Sequence, residues 1–281
     1  MADPPSWKIR TRHLVLDRPL IMGIVNVTPD SFSDGGRYQD PELAIQHGLD
    51  LAQQGADLVD VGGESTRPGS EGVPAEIELA RVLPVVEALA TRGVAVSIDT
   101  SKATVARHAI EAGAEVINDV TAGSDPDMLG LAAESGCGLV LMHMQGTPRT
   151  MQERPSYEDV VREVKDFLVE RALAAEFAGI DRAAISIDPG IGFGKTVDHN
   201  LELLRRLGEL VSTGYPVAVG TSRKGFLGHL TGVDHPEERD VATAATTALA
   251  VMAGAAMVRV HDVESSRQAA RIAWAIARTR I

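Results

Sequence analysis

Short apolar runs that end abruptly in polar side chains recur along this chain of 281 residues. The first run, residues 20–25, has the length and the β-branched content of a buried strand, and Asn26 follows it directly. A polar stretch with Asp30 comes next and ends in two glycines at residues 35–36. Parallel strands that end in amide, hydroxyl or carboxylate groups commonly build active sites. For any single run an ordinary polar turn is the alternative, and the recurrence of the pattern favours a site.

Two carboxylates and one amide among these run ends could bind a nitrogen heterocycle. Asp99, Asn118 and Asp188 each follow an apolar run. Together they would offer fixed acceptors to the donor-rich edge of an amino-pyrimidinone ring. For each of them, capping of the following helix or turn is the alternative.

Basic side chains at further run ends indicate an anionic ligand. A lysine or arginine at a strand end is costly to bury, so we expect Lys224 and Arg259 to face ligand or solvent. Oxygens of Asn26 and Asp30 could hold Mg²⁺, which prefers a few protein oxygens together with substrate phosphate. For Arg67, a solvated loop arginine is the alternative. The candidate donors to phosphate oxygens are Arg67, Lys224, Arg259 and His261.

The elements that must position these groups alternate without interruption from residue 20 to residue 279. We count eight strand–helix units, with no linker and no change of composition between them. Strict alternation predicts a parallel sheet with right-handed crossovers, and eight units in roughly 250 residues fit a closed (β/α)8 TIM barrel. We therefore predict an α/β protein with one barrel domain over residues 20–281, preceded by an extension over residues 1–19 that could form a small hairpin. A doubly wound open sheet is the alternative.

A closed barrel would bring the run ends together, because all of its parallel strands end on the same face. This convergence depends on the barrel and not on any single motif. The residues that we expect to meet there are Asn26, Asp60, Asp99, Asn118, His143, Asp188, Lys224, Arg259 and His261.

Composition argues against several classes of partner. The net charge is −12, and a chain this acidic is a poor general binder of nucleic acid or of an anionic membrane. The single cysteine, Cys137, excludes a disulfide framework within the chain and fits a reducing compartment. We find neither the apolar core of a signal peptide nor a stretch of about 20 apolar residues. We expect a cytoplasmic protein with no membrane or nucleic-acid partner.

Four groups of residues resemble the dihydropteroate synthase family of pterin-binding enzymes. They are residues 26–36, residues 60–69, residues 188–195 together with 222–224, and residues 259–262. The combination is specific, although its Asp-Pro-Gly and Asn-Asp elements also occur in related pterin-binding methyltransferases. The resemblance covers the chain from residue 20 to residue 279.

The resemblance implies a transferase of folate biosynthesis. It would condense 4-aminobenzoate with (7,8-dihydropterin-6-yl)methyl diphosphate and release diphosphate and 7,8-dihydropteroate. It further implies Mg²⁺ as cofactor near Asn26 and Asp30, and a homodimer that is the target of sulfonamides. Gly225 departs from the larger residue that many members carry at this position, which puts local contacts to the second substrate in doubt.

The resemblance also assigns residues to three subsites by motif. The pterin would be held by Asp99, Asn118, Asp188, Lys224 and Arg259, and all of these except Asn118 would act in catalysis. The diphosphate would contact Asn26, Arg67, Arg259 and His261. The aminobenzoate would contact Thr66, Arg67, Pro68, Phe193 and Ser222.

A dissociative substitution follows from these assignments. Departure of a charge-neutralised diphosphate would leave positive charge at the pterin methylene group, which Asp99 and Asp188 could stabilise before the amine attacks. The loops over residues 28–36 and 63–72 would act as mobile lids.

Three other functions stay open on the sequence. A corrinoid-linked methyltransferase would need no diphosphate ligands, so Arg259 and His261 argue against it. A non-catalytic pterin-binding paralogue would keep the substrate contacts and lack turnover. A barrel aldolase would need a Schiff-base lysine within a strand, whereas Lys224 follows its strand.

Overall fold

A parallel eight-stranded barrel with helices around it makes up the part of the chain that the computed structural model describes, residues 5–28, 41–67 and 69–279. The strands in these residues are β1 (Ser6–Lys8), β2 (His13–Val15), β3 (Leu20–Asn26), β4 (Leu58–Gly62), β5 (Val96–Asp99), β6 (Val116–Asp119), β7 (Gly138–Met142), β8 (Ile185–Asp188), β9 (Ala218–Val219) and β10 (Met257–Val260). The prediction of a (β/α)8 barrel is confirmed.

The helices lie outside the sheet. They are α1 (Pro41–Gln54), α2 (Ala75–Thr91), α3 (Ala103–Glu111), α4 (Met128–Ser135), α5 (Val160–Phe177), α6 (Val197–Arg205), α7 (Gly208–Val211), α8 (Gly225–Thr231), α9 (Asp240–Met252) and α10 (Val263–Arg278), with short 3-10 helices at Arg182–Ala184 and Pro236–Arg239. Among the described helices, none is long and apolar enough to span a lipid bilayer.

The parallel strands follow one another around the sheet in the order β8-β7-β6-β5-β4-β3-β10-β9. The two end strands approach each other at the seam, where the N–H of Ile187 donates to the carbonyl of Pro216 at 3.0 Å and Ile187 pairs with Val217 in a parallel bridge. The barrel is therefore nearly closed, and its strands end on a common face.

Two helical segments differ from those that the apolar spacing predicts. Residues 198–208 are predicted as one helix, but the chain forms α6 and then the separate short helix α7. No helix is predicted directly after Lys224, yet α8 begins at Gly225. Glycines weaken a helical signal, whereas burial of Phe226 and Leu227 in the core stabilises α8.

The hairpin of β1 and β2 covers the amino-terminal end of the barrel, opposite the ends of the strands. Trp7 is 1% exposed and packs with residues at the starts of the barrel strands, such as Leu20, Leu58 and Val116. Its indole N–H donates to the carbonyl of Ala184 at 2.9 Å. The hairpin therefore closes the barrel core; the domain boundary at residue 20 stays a prediction.

Replacement of Trp7 by alanine is expected to lower the free energy of unfolding by about 3–5 kcal/mol, because it empties a large buried site at the end of the core. Urea denaturation followed by circular dichroism would measure the change. Trp7→Phe is the matched control, since it keeps an aromatic ring and loses the indole hydrogen bond, and it should cost less. A stability loss below about 1 kcal/mol for Trp7→Ala would contradict the role of the hairpin.

Candidate active site

The strand ends bring polar residues from distant parts of the sequence into one layer. Asp99 at the end of β5 pairs in register with Asn118 of β6 and with Gly62 of β4, and Asn26 of β3 pairs with the same Gly62. Asp188 ends β8 on the same face of the barrel. The acceptors that the sequence singles out therefore lie together at the carboxyl end of the barrel, and the space between these strand ends is called the pocket below.

Arg259 of β10 is held by two carboxylates inside the barrel. Its Nε–H donates to Asp60 Oδ2 and its Nη2–H donates to Asp99 Oδ2, each at 2.6 Å. The sequence predicts that Arg259 faces ligand or solvent, and this prediction is wrong for these two nitrogens. Paired carboxylates offset the cost of burying the guanidinium, and a strand-end pattern does not reveal such a pairing.

Asp60 contacts two candidate site residues, which its position at a strand end does not reveal in the sequence. It is fully buried, and its Oδ1 has no hydrogen-bond partner among the described residues. The Nδ2–H of Asn118 donates to Asp60 Oδ2 at 3.0 Å. Because this contact uses the side-chain NH2 group of Asn118 as a donor, the side-chain oxygen Oδ1 is the acceptor left for a ligand. Asp60 therefore orients both Asn118 and Arg259.

Asp188 and Asp99 are carboxyls with perturbed acidity. Burial raises the pKa of Asp188 to about 6, against the opposing effects of a hydrogen bond from Gly190 and of the charges of Lys224 and Arg259. The N–H of Gly190 donates to Asp188 Oδ1 at 2.7 Å. Burial also raises the pKa of Asp99, and Arg259 opposes that shift. Perturbed carboxyls beside cations in one pocket are typical of functional sites.

Lys224 stands against an aromatic ring at the edge of the pocket. Its Nζ lies 3.8 Å from the centroid of the Phe193 ring. Burial and the charge of Arg259 lower the pKa of Lys224 to about 8, whereas Asp188 and Asp99 raise it. The ammonium and the ring form one wall of the pocket. Behind Phe193 lies a small apolar cluster of Val120, Met142, Met151 and Phe193 itself, with Met144 packed on it.

His261 follows β10 and contacts Ser222. Ser222 Oγ lies 2.9 Å from His261 Nδ1, and the backbone N–H of His261 donates to the same oxygen at 3.1 Å. Burial and the nearby cations, Arg223 foremost, lower the pKa of His261 to about 3. The imidazole is therefore neutral near pH 7 and can donate a hydrogen bond without carrying charge. The Ser222 hydroxyl, predicted to contact the aminobenzoate, is engaged with His261 here.

The loop after β4 is fastened at its base by a lysine between two glutamates. Lys102 Nζ donates to Glu64, and to Glu78 at 2.6 Å. Glu64 also accepts from the N–H of Val73 at 3.1 Å, so it joins the two ends of the loop. Glu78 is fully buried in α2. The sequence does not reveal this cluster, because the three side chains come from separate elements and share no motif.

Two of the predicted aminobenzoate contacts lie in this loop. Thr66 is half-buried and Arg67 is exposed, although Arg67 is close enough to His261 to affect its pKa. The tip of the loop is tied to the loop after β7, where the N–H of Gly69 donates to the carbonyl of Pro148 at 2.9 Å. The described part of this predicted lid is therefore anchored at its base and at its tip.

Lys195, to which the sequence assigns no role, lies beneath the pocket. It is 2% exposed, its Nζ donates to the carbonyl of Phe193 at 2.9 Å, and it lies 3.0 Å from Nδ1 of His143. Burial lowers the pKa of Lys195 to about 7. Lys195 thus fastens the turn that carries Phe193 to the end of β7. Its place directly after the glycine-rich stretch 190–194 was the available signal.

Two predicted site residues, Asp30 and Pro68, lie outside the described residues, as do residues 29–36 of the predicted first lid. Asn26 ends β3 and is half-buried. Within the described ranges there is no group of three or more histidine, cysteine or acidic side chains that could hold a metal ion. The magnesium site at Asn26 and Asp30 stays a prediction.

Comparison with known proteins assigns the chain to a family. The model of the pterin binding enzyme family matches residues 22–261. A dihydropteroate synthase of Mycobacterium leprae is 49% identical over 263 residues, which cover 90% of this chain and 93% of the relative. The chain belongs to the dihydropteroate synthase family of pterin-binding enzymes. The family resemblance found in the motifs is thereby confirmed.

Solved structures of dihydropteroate synthases are similar along almost the entire chain. The Xanthomonas albilineans enzyme with 4-aminobenzoic acid has a TM-score of 0.93 and 48% identity, covering 99% of this chain and 100% of that one. The enzyme of the same organism in complex with 7,8-dihydropteroate has a TM-score of 0.89 and 46% identity, covering 98% and 100%. Both structures of this enzyme share the barrel described above.

Proposed function

We propose that the protein condenses 4-aminobenzoate with (7,8-dihydropterin-6-yl)methyl diphosphate, releasing diphosphate and 7,8-dihydropteroate for folate biosynthesis. One observation carries the proposal: the acceptors Asp99, Asn118 and Asp188 share a pocket with the cations of Lys224 and Arg259. Fixed acceptors suit the N–H edge of a pterin, and cations suit a diphosphate. The relatives solved with 4-aminobenzoic acid and with 7,8-dihydropteroate support this choice of substrates.

The pterin would lie between the ends of β5, β6 and β8. Asp99, Asn118 and Asp188 would accept hydrogen bonds from its ring and amino N–H groups, and Lys224 would donate to a ring acceptor. Arg259 would lie against the ring while its Nη1, the guanidinium nitrogen that Asp60 and Asp99 do not use, reaches the diphosphate. This arrangement lets one arginine serve two substrate groups.

The diphosphate would lie near Asn26, Arg67, Arg259 and His261. A neutral His261 would donate an N–H, and the arginines would supply positive charge. The amide oxygen of Asn26 fits a metal that is bound chiefly by substrate oxygens and water, which is how Mg²⁺ is commonly held. We propose that Asn26, with Asp30, holds Mg²⁺, which would neutralise charge on the leaving group.

The aminobenzoate would lie against Phe193 and below the loop that carries Thr66, Arg67 and Pro68. Phe193 offers an apolar face, and Arg67 and Lys224 offer donors to the carboxylate of the substrate. Ser222 would line the same subsite through its backbone turn. The anchored loop would cover this second substrate and exclude water.

We propose a dissociative substitution. The bond between the pterin methylene carbon and the diphosphate oxygen breaks, and its electron pair leaves with the diphosphate. Asp99 and Asp188 stabilise the cation that remains on the pterin. The neutral amine then forms the new C–N bond and loses a proton to solvent. Diphosphate release in the absence of aminobenzoate would support this order, and release that strictly requires the amine would contradict it.

The proposed activity is tested with purified protein, the dihydropterin diphosphate, Mg²⁺ and 4-aminobenzoate. Diphosphate release and dihydropteroate formation are measured together, with Lys224→Ala as control. We expect both products from the native chain and neither from the control. Binding of the pterin without turnover would instead assign the chain to a non-catalytic pterin-binding role.

Pterin affinity is expected to rise with pH and to level off above about pH 7. Burial raises the pKa of Asp188 to about 6, so the carboxyl is protonated below that pH and can accept fewer pterin N–H bonds. Calorimetric titration with the pterin alcohol, which carries no titrating phosphate, would measure this dependence. Asp188→Asn is the matched control and should bind weakly at every pH. A flat affinity between about pH 5 and pH 8 in the native protein would rule out this role for Asp188.

Lys102→Met is expected to raise KM for aminobenzoate about tenfold and to change KM for the pterin diphosphate less. The substitution leaves the buried Glu78 without its counter-charge and frees the base of the loop that carries Thr66 and Arg67. Steady-state kinetics with each substrate varied in turn would separate the two constants. Lys102→Arg keeps the charge and serves as control. An equal rise in both constants would show that the cluster does not act through this loop.

We also propose that the enzyme works as a cytoplasmic homodimer. The outer faces of α9 and α10 carry exposed apolar side chains, including Val241, Leu249, Ile272 and Ile276. Exposed apolar groups on two packed helices are suited to burial against a second copy. Sedimentation of the native chain and of Leu249→Glu would test this: the native chain should sediment as a dimer and the variant as a monomer.

A further inference from the structure

The hydroxyl of Ser222 contacts both the backbone and the ring of the residue proposed to bind diphosphate. The backbone N–H of His261 donates to Ser222 Oγ at 3.1 Å, and the same oxygen lies 2.9 Å from His261 Nδ1. Ser222 is 6% exposed. Among the described residues no group hydrogen-bonds the other ring nitrogen, Nε2.

These two contacts determine where the protons lie. A backbone N–H can only donate, so Ser222 Oγ accepts from it and keeps one proton of its own. No other acceptor within hydrogen-bond distance of that hydroxyl occurs in the described residues. If Nδ1 carried a proton, the buried hydroxyl proton would have no partner. Donation from the Ser222 hydroxyl to Nδ1 gives a hydrogen-bond partner to the hydroxyl, to Nδ1 and to the backbone N–H of His261. It leaves the single ring proton on Nε2.

The charges around the ring keep it from taking up a second proton. The charges that act most strongly on His261 are those of Arg223, Arg259, Lys224 and Arg67, all of them cations. Protonation of His261 would add one more positive charge to this cluster, which burial makes still less favourable. The ring is therefore neutral, with a single N–H on the side away from Ser222.

The turn that carries Ser222 is held rigidly. Arg223 has a left-handed backbone with φ of 57°, which is strained for a residue other than glycine. Its side chain forms two hydrogen bonds with Asp240, at 2.8 and 2.7 Å, and its N–H donates to Thr243 Oγ1 at 3.1 Å. Backbone strain that several contacts maintain is typical of functional sites, and here it holds Arg223 beside Ser222.

We propose that Ser222 is a positioning residue that holds His261 in its Nε2–H tautomer, so that a neutral imidazole presents an N–H donor to the diphosphate. The inference rests on the proposed function for the identity of the anion. It assigns Ser222 to the diphosphate subsite, through His261, as well as to the aminobenzoate subsite predicted for it. The neutral imidazole of His261 donates a hydrogen bond to the departing diphosphate. It carries no additional proton that it could transfer to that group.

The tautomer is measured by nitrogen NMR on protein with ¹⁵N-labelled histidine, with His261→Gln used to assign the signals. In the native chain we expect Nδ1 of His261 to resonate as an unprotonated nitrogen and Nε2 as a protonated one. Ser222→Ala should give a mixture of tautomers, and Ser222→Thr, which keeps the hydroxyl, should restore the native pattern. A protonated Nδ1 in the native chain, or an unchanged pattern in Ser222→Ala, would overturn the inference.

Binding of inorganic diphosphate tests the consequence without turnover and without aminobenzoate. Ser222→Ala should weaken it about fivefold to tenfold and leave binding of the pterin alcohol unchanged. His261→Gln places an amide N–H near the position of Nε2 and should retain most of the affinity, whereas His261→Asn should lose it. In the His261→Gln background, Ser222→Ala should have no further effect. A further loss there would overturn the inference.

Failure of this inference and failure of the proposed function can be told apart. If the chain catalyses no condensation but the tautomer and the diphosphate affinity respond as stated, the activity is wrong and the role of Ser222 stands. If condensation is observed and the tautomer is independent of Ser222, the activity stands and the role of Ser222 is wrong.

Discussion

Arg259→Met is expected to lower kcat/KM about a thousandfold and to lower the free energy of unfolding by about 3 kcal/mol. The first effect follows because the guanidinium is the cation proposed to accompany the leaving diphosphate. The second follows because Asp60 and Asp99 each accept one of its N–H groups at 2.6 Å inside the barrel. Without Arg259 both carboxyls stay buried and lose the cation that hydrogen-bonds them, and for Asp99 only the more distant charge of Lys224 remains.

The stability deficit of Arg259→Met should depend on pH in a definite direction. Burial without a cation raises the pKa of a carboxyl above its unfolded value, so the folded variant binds protons more tightly than the unfolded chain. Its stability therefore falls as pH rises from about 4 towards neutrality, and the deficit is smallest in acid. Urea denaturation of both proteins at several pH values would measure it.

A second substitution separates the two effects of Arg259. In the Arg259→Met background, Asp60→Asn removes one of the two carboxylates that have lost their hydrogen-bonded cation, and it should recover about 1–2 kcal/mol. It should recover no activity, because the cation is still missing from the diphosphate subsite. Recovery of kcat/KM in the double variant would mean that Arg259 acts only by neutralising Asp60.

Gly190→Ala is expected to destabilise the protein by about 4 kcal/mol or more, or to prevent folding. Gly190 has a φ of +65°, and a Cβ added there would lie 1.9 Å from the carbonyl oxygen of His143. The turn would have to move away from β7, and it carries the hydrogen bond from Gly190 to Asp188. Thermal and urea unfolding would give the size of the loss.

Two other glycines are matched controls for Gly190. Gly136 has the same φ of +65° and no atom within 4 Å of an added Cβ, so Gly136→Ala reports the backbone strain alone, about 1–2 kcal/mol. Gly225 begins α8 with open space around it and no positive φ, so Gly225→Ala should be neutral or slightly stabilising. If Gly190→Ala cost no more than Gly136→Ala, the close approach to His143 would not matter.

The sequence was sufficient for the barrel and for the choice of the candidate acceptors that lie together at its carboxyl end. Hydrophobic periodicity and chain alternation are local signals, and a closed parallel sheet necessarily brings its strand ends to one face. Asp99, Asn118 and Asp188 could be chosen because each directly follows an apolar run in the sequence. Helix α8 was not predicted, since Gly225 and Gly228 weaken a local signal that burial of Phe226 then overrides.

By itself, then, the sequence determined the fold, the family and the face on which the pocket lies. Only the tertiary structure decided which groups pair within that face: Arg259 with Asp60, 199 positions apart, and His261 with Ser222, 39 positions apart. The reason is physical. Strand and helix periods specify which side of an element a residue occupies, whereas hydrogen bonds and proton positions depend on tenths of an ångström between elements that the chain brings together only on folding.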